Sequence, residues 1–269
     1  MKHTFIIKVL ILFYLFKIDI VSLYGQEINL GFEDSIDSKI LNENRKLLVR
    51  LPIDYNNSQK SYPVIYRLDG NLDLFIETVG VIHRLAYMEK VIPDMIVVMI
   101  ENINRNRDMM PTATKYFKSE IGAGNFKNFI QNELVPHIEN TYRTTNNKVL
   151  CGQSLSAIFT LYYFLSSPET FNSYIVCSGG FLDCENYFLE LTNEMLKKKL
   201  ENSRKIFLTH GLTDFLDPEG VTNKQLSNFN EMLQSNDSII SKYKVYQDDG
   251  HVPYQSLYHG LKFVYTNPR

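Results

Sequence analysis

The sequence has little of what would assign it to a specialised class. Cysteine occurs only three times in 269 residues, at Cys151, Cys177 and Cys184, and none has the paired spacing of a zinc site, so a structural metal is not indicated. Cys151 and Cys177 stand in apolar runs that read as buried strands, which makes them small core residues rather than catalytic thiols. A Cys177 to Cys184 disulfide is left open. Charge of one sign is also scarce: 28 Lys and Arg oppose 30 Asp and Glu, the formal net charge is −2, and the longest lysine run is Lys197-Lys198-Lys199. That run reads as the solvated end of a helix, and the balance argues against nucleic acid or another polyanion as a partner. The apolar run Val9 to Phe16 is shorter than the ~20 residues that span a bilayer, and Lys17 and Asp19 interrupt its continuation, so no permanent transmembrane helix is expected. Internal repeats, low-complexity linkers and shifts of composition are absent too, which leaves nothing to mark a second domain.

What is present begins with Lys2 and Lys8 around the start of that apolar run, the build of a secretory signal peptide. Residues 1–25 are therefore expected to be a leader, and 26–269 a catalytic domain that works in the periplasm or outside the cell. Gly25 is small enough to precede the cut, Leu23 is bulkier than the usual residue two places earlier, and no cysteine stands nearby to carry a lipid. With 44% hydrophobic and 13% aromatic residues, the chain can bury a large core in one domain. After Gln26, short β-branched or aromatic runs alternate with longer amphipathic stretches. That is the pattern of an α/β fold, a mostly parallel central sheet with helices on both faces. Strands are expected at 46–51, 64–68, 95–100, 148–151, 174–177, 205–209 and 243–247, several of them apolar on consecutive residues as in doubly covered strands. Helices are expected at 75–90, 125–142, 155–166, 185–200, 223–234 and 253–264, with Pro136 kinking the second rather than ending it. The stretch from Asn102 to Gly124 shows no clear periodicity, and a loop of that length in a sheet-and-helix enzyme is expected to line the substrate site.

The chemistry converges on Val149-Leu150-Cys151-Gly152-Gln153-Ser154-Leu155-Ser156-Ala157, where an apolar strand runs into Gly-Gln-Ser-Leu-Ser and then an amphipathic helix. This is the layout of a nucleophile elbow, in which a tight strand-to-helix turn raises a serine above the sheet edge beside a helix N-terminus. Ser156 stands where the common Gly-x-Ser-x-Gly form has its second glycine. A plain helix cap is the alternative for Ser154. Two further segments follow in the order serine, acid, histidine that the α/β-hydrolase arrangement prescribes. The strand beginning at Lys205 leads through His210 and Gly211 to Asp214, the expected acid, with Asp217 as its competitor three residues on. The last strand leads to Asp248-Asp249-Gly250-His251, and His251 is the expected base. His3 lies in the expected leader, His83, His137 and His259 read as helix residues, and His210 comes too early in its loop. Backbone donors for a tetrahedral intermediate are expected at Leu155, directly after the nucleophile, and at Asn71, where Asp69-Gly70-Asn71 turns off a strand.

These residues resemble the putative esterase family of the α/β-hydrolase superfamily, which includes S-formylglutathione hydrolases, enterochelin esterases, feruloyl and acetylxylan esterases and mycobacterial mycolyltransferases. The resemblance runs from about Asp37 to the C-terminus. It is carried by Leu51-Pro52-Ile53-Asp54-Tyr55, Tyr62-Pro63-Val64-Ile65-Tyr66-Arg67-Leu68-Asp69-Gly70, Asn104-Arg105-Asn106-Arg107-Asp108, the elbow, Ser167-Pro168-Glu169-Thr170-Phe171, and Gly250-His251 before Pro253. It implies the α/β-hydrolase fold, Ser154 and His251 as catalytic, Leu155 and Asn71 as oxyanion donors, and an acid in the loop holding Asp214. Enterochelin-type members can work with little or no help from that acid. The segment with Arg105, Arg107 and Asp108 resembles a family loop near the active site, ordered by an ion pair rather than bound to the acyl group.

The leading expectation is therefore a serine esterase that needs no cofactor and acts on small-molecule or carbohydrate-linked esters. The expected leader argues against a cytosolic thioester hydrolase and favours esters met outside the cytoplasm, such as an acylated polysaccharide or a siderophore. An acyltransferase sharing the same acyl-enzyme is the alternative. A catalytically silent binding protein, suggested by Ser156 in place of glycine, is the third reading.

Overall fold

Apolar runs separated by amphipathic stretches give a sheet whose strands are covered from both sides. In the computed structural model, which describes residues 29–118 and 121–266, the strands are β1 (Phe32–Ser38), β2 (Glu43–Arg50), β3 (Tyr62–Gly70), β4 (Ile96–Glu101), β5 (Thr144–Gln153), β6 (Ser173–Cys177), β7 (Arg204–Gly211) and β8 (Ile239–Tyr246). They form one sheet in the order β1-β2-β4-β3-β5-β6-β7-β8. β1 pairs antiparallel with β2 and β2 antiparallel with β4; all later pairings are parallel. Gly31–Arg269 is one compact unit, and its fold class is α/β, as the sequence pattern predicts. The expected leader, 1–25, and His3 lie outside the described residues.

Each of the seven expected strands is present. β1 is an addition: its sequence, Phe-Glu-Asp-Ser-Ile-Asp-Ser, is mostly exposed and polar at all but Phe32 and Ile36, so it carries no apolar run to read. It lies at the sheet edge, where charged residues discourage pairing with another chain.

The helices are α1 (Leu72–His83), α2 (Arg105–Met109), α3 (Ala123–Phe129), α4 (Val135–Thr141), α5 (Leu155–Ser166), α6 (Glu185–Leu196), α7 (Val221–Leu233) and α8 (Ser256–Tyr265). A π turn, Ile130–Leu134, joins α3 to α4 directly ahead of Pro136. Proline lacks an N–H and its ring crowds the carbonyl one turn back, and the wider π turn accommodates both.

Side-chain alternation along the strands divides the core. Val64, Tyr66 and Leu68 of β3 join a cluster that includes Phe129 of α3, Phe159 of α5 and Phe229 of α7. On the opposite face α8 packs closely on β6: a Cβ at Gly260 would stand 2.8 Å from Ile175. Buried Arg67 faces α1, donating to Thr78 Oγ1 at 2.5 Å.

The Asn102–Gly124 segment is fastened by charge. Arg45, wholly buried, pairs with Asp108 at 2.5 Å and also with Glu43. Arg107 completes the cluster at 2.7 Å from Asp108 and 2.8 Å from Glu43. Removing one member of such a group leaves a buried charge uncompensated. Asp108→Ala is therefore expected to lower the unfolding free energy by about 3 kcal/mol, measured by urea denaturation. A loss below about 1 kcal/mol would place the cluster in the class of weak surface pairs.

Candidate active site

The elbow follows from one close approach. A Cβ on Gly152 would stand 2.2 Å from the Ser156 carbonyl oxygen and 2.4 Å from Thr160 Oγ1, so only glycine lets β5 and α5 meet at this distance. The chain then reverses at Ser154, whose backbone takes φ 53° and ψ −121°, a conformation that costs a non-glycine residue on the order of 1–3 kcal/mol. The Ser154 N–H donates to the Cys177 carbonyl at 2.9 Å, which extends the pairing with β6 to the turn itself. Leu155 opens α5, so its N–H has no carbonyl a turn back within the helix.

Two loops at the same end of the sheet meet Ser154. His251 Nε2 lies 2.8 Å from Ser154 Oγ, and His251 Nδ1 lies 2.7 Å from Asp214 Oδ2. The other Asp214 oxygen accepts the Leu216 N–H at 2.8 Å. Gly211 allows the Asp214 and His251 loops to touch, because a Cβ there would stand 2.1 Å from the Gly250 carbonyl oxygen. Thr213 N–H donates to the Asp249 carbonyl at 3.1 Å, tying the loops together. Past His251, Val252 has φ 56°, and its N–H donates to Ser178 Oγ at 3.2 Å.

Asp217 is engaged elsewhere. Its two oxygens accept the N–H groups of Thr222 and Asn223 at 3.0 Å each, capping α7, and His210 Nε2 stands 3.1 Å away. The carboxylate that meets His251 is thus Asp214. His83, His137 and His259 lie in α1, α4 and α8.

These groups open into a cavity of about 270 Å³ lined by Ser154, His251 and Asp214 together with Arg105, Phe117 and Leu182. The Asn102–Gly124 segment contributes Arg105, Asn106 and Phe117, in keeping with its expected place at the site. Phe215, 76% exposed, stands edge-on to the His251 ring with centroids 6.0 Å apart.

A model of the family described as Putative esterase matches residues 38–202. The chain belongs to the putative esterase family. The ferri-bacillibactin esterase BesA of Bacillus subtilis (strain 168) is 30% identical over 164 residues, 54% of this chain and 57% of that protein, so the match spans little more than half the length of this relative. An IroE-like serine hydrolase from Shewanella oneidensis superposes with a TM-score of 0.78 at 26% identity, covering 87% of this chain and 80% of that one. The siderophore hydrolase EstA from Aspergillus nidulans, at 18% identity, shares the fold with a TM-score of 0.76 over 90% of this chain and 98% of its own.

In this family member several features go beyond what the sequence suggested. The left-handed backbone of the β3–α1 turn is at Asp69, φ 60°, not at Gly70. Gly70 is needed for proximity, since a Cβ there would stand 2.7 Å from the Ile100 carbonyl carbon. Asn71 caps α1, its Oδ1 accepting from the Leu74 N–H at 2.9 Å. The ion pairing expected to order the Arg105 loop reaches outside it: Arg105 Nε and Nη2 donate to the two oxygens of Asp69 at 2.7 Å each. The three cysteines are free thiols, so no Cys177–Cys184 disulfide is formed. Burial pushes the Cys184 thiol up to about 11, far from a reactive thiolate.

Burial alone would raise the Asp69 carboxyl, but the Arg105 hydrogen bond and charge, with Asn102 and Ser156, outweigh it and hold the group below its ordinary 3.8. A carboxyl depressed on folding stabilises the native state above its unfolded value, and that contribution is lost as pH falls through the folded one. Asp69→Asn is therefore expected to open a stability gap that is constant near neutral pH and closes below about 3.8, measured by denaturation across the acid range. A gap that persists unchanged at the acid end would contradict this assignment.

Proposed function

We propose that this protein is a serine esterase working through an acyl-enzyme, with Ser154 as nucleophile, His251 as base and Asp214 as the acid that orients it. The observation that carries the reading is the continuous chain from Asp214 through His251 to Ser154, with contacts of 2.7 and 2.8 Å, opening into one cavity. As Ser154 Oγ attacks the ester carbonyl, its proton passes to His251 Nε2, and Asp214 stabilises the imidazolium from the Nδ1 side. The oxyanion takes hydrogen bonds from the main-chain N–H groups of Leu155 and Asn71. Collapse of the tetrahedral intermediate breaks the C–O bond, and His251 returns the proton to the leaving alcohol. Water then repeats the cycle in reverse order and frees the acid. The scheme calls on no cofactor.

For the substrate we propose an extracytoplasmic ester of a siderophore. The names of the relatives support this class, as does the cavity. Phe117, Leu155, Ile158, Leu182 and Leu216 give it apolar walls, and Arg105 supplies a cation to one side. Such a site suits an apolar or aromatic group bearing oxygen acceptors. The extracytoplasmic setting rests on the leader expected at residues 1–25.

The test uses the full chain with p-nitrophenyl esters and a catecholate siderophore ester. Ser154→Ala should lower kcat by about 10⁴-fold or more. Asp214→Asn should lower it by at least about 100-fold, whereas Asp217→Asn should cost less than about tenfold and show mainly as lost stability of α7. Turnover that survives in Ser154→Ala, or a larger loss from Asp217→Asn than from Asp214→Asn, would reject the assignment.

A further inference from the structure

Ser156 occupies the position of the second glycine in the common elbow, and its side chain is fully buried. The hydroxyl accepts the Gln153 N–H at 2.8 Å. Its own proton has two acceptors in reach, Asp69 Oδ2 at 2.8 Å and the Gln153 carbonyl at 2.9 Å, and the charged one makes the stronger bond. Asp69 belongs to a different segment, the left-handed turn that leads from β3 through Gly70 to Asn71. The same carboxylate accepts from Asn102 Nδ2 at 2.7 Å and takes the two contacts from Arg105 at 2.7 Å each. One buried carboxylate therefore joins the elbow, the β3–α1 turn and the loop that lines the cavity.

We propose that Ser156 is a positioning residue whose hydroxyl locks the nucleophile elbow to the β3–α1 turn, fixing the separation of the Leu155 and Asn71 main-chain N–H groups. This rests on the serine-esterase reading above. Those donors come from segments remote in sequence, and stabilisation of an oxyanion depends steeply on donor distance. Without the hydroxyl, the Gln153 N–H loses its acceptor and Asp69 reaches the elbow only through Arg105, whose Nη2 stands 3.4 Å from the Gln153 carbonyl oxygen. In this chain a hydrogen bond across the two segments accompanies the departure from glycine.

The test compares wild type with Ser156→Ala, Ser156→Gly, Asp69→Asn and the Ser156→Ala/Asp69→Asn double variant on one p-nitrophenyl ester. Rates are normalised to active sites titrated with a fluorophosphonate, so that a poorly folding variant is not counted as a slow one. Loss of the lock should lower kcat per site by about tenfold and leave KM within about twofold. Affinity for an alkylboronic acid, which mimics the tetrahedral adduct, should fall with kcat, while the pH profile keeps its shape. The double variant should be no slower than the slower single one, because both remove the same bond. Wild-type kcat per site and boronate affinity in Ser156→Ala would overturn the inference, as would fully multiplicative effects in the double variant. A wild type that neither labels nor turns over would sink the esterase reading and this inference with it; an active wild type with unaffected variants would sink the inference alone.

Discussion

The site depends on the contact that places β5 against α5 at Gly152. Because a Cβ there would overlap the Ser156 carbonyl, the strand and helix approach to a distance that leaves the chain one residue in which to reverse. That residue is Ser154, and its left-handed backbone is the consequence. Strain of this kind persists only where the surroundings over-determine it. Here they do so through the bond from Ser154 N–H to β6, the bond from Gln153 N–H to Ser156, and the helix packed behind. The energy stored at the turn is offset by the core that α5 buries, since nearly every residue of that helix is inaccessible to solvent.

The parallel sheet turns this local constraint into a site. Strands β5, β7 and β8 all end at the same edge, so residues separated by 97 and 37 positions along the chain meet within hydrogen-bond distance. Two glycine contacts set the spacing, Gly152 within the elbow and Gly211 between the Asp214 and His251 loops. Ionic clusters organise the remaining wall. Arg45, Glu43, Arg107 and Asp108 hold the base of the Asn102–Gly124 segment, and Asp69 holds Arg105 beside the cavity.

Much of this was legible in the sequence, because doubly covered parallel strands are written as continuous apolar runs. Those runs gave seven of the strands and placed Ser154, Asp214 and His251 on the loops that the sheet edge brings together. What escaped had a different physical basis. β1 is an exposed edge with no apolar face, and its pairing is decided by main-chain bonds to β2. Loop position favoured Asp214 over Asp217, but the reason Asp217 is engaged elsewhere, its capping of the N-terminus of α7, leaves no trace in linear spacing. The pairing of Arg105 with Asp69 spans 36 positions, as remote a fact as any tertiary contact. The sequence does display Ser156 as a departure from glycine, but the hydroxyl's partner becomes visible only once β3 lies beside β5.

The central claim is that Ser154 carries the acyl group between ester and water. The most direct measurement is intact-mass and peptide-mapping analysis of the full chain quenched in acid during turnover of a slowly released aryl ester. The account predicts an added mass equal to the acyl group, confined to the peptide containing Ser154 and discharged when turnover is allowed to finish. Ester turnover with the adduct on another peptide, or with no adduct formed under conditions where deacylation limits the rate, would contradict it.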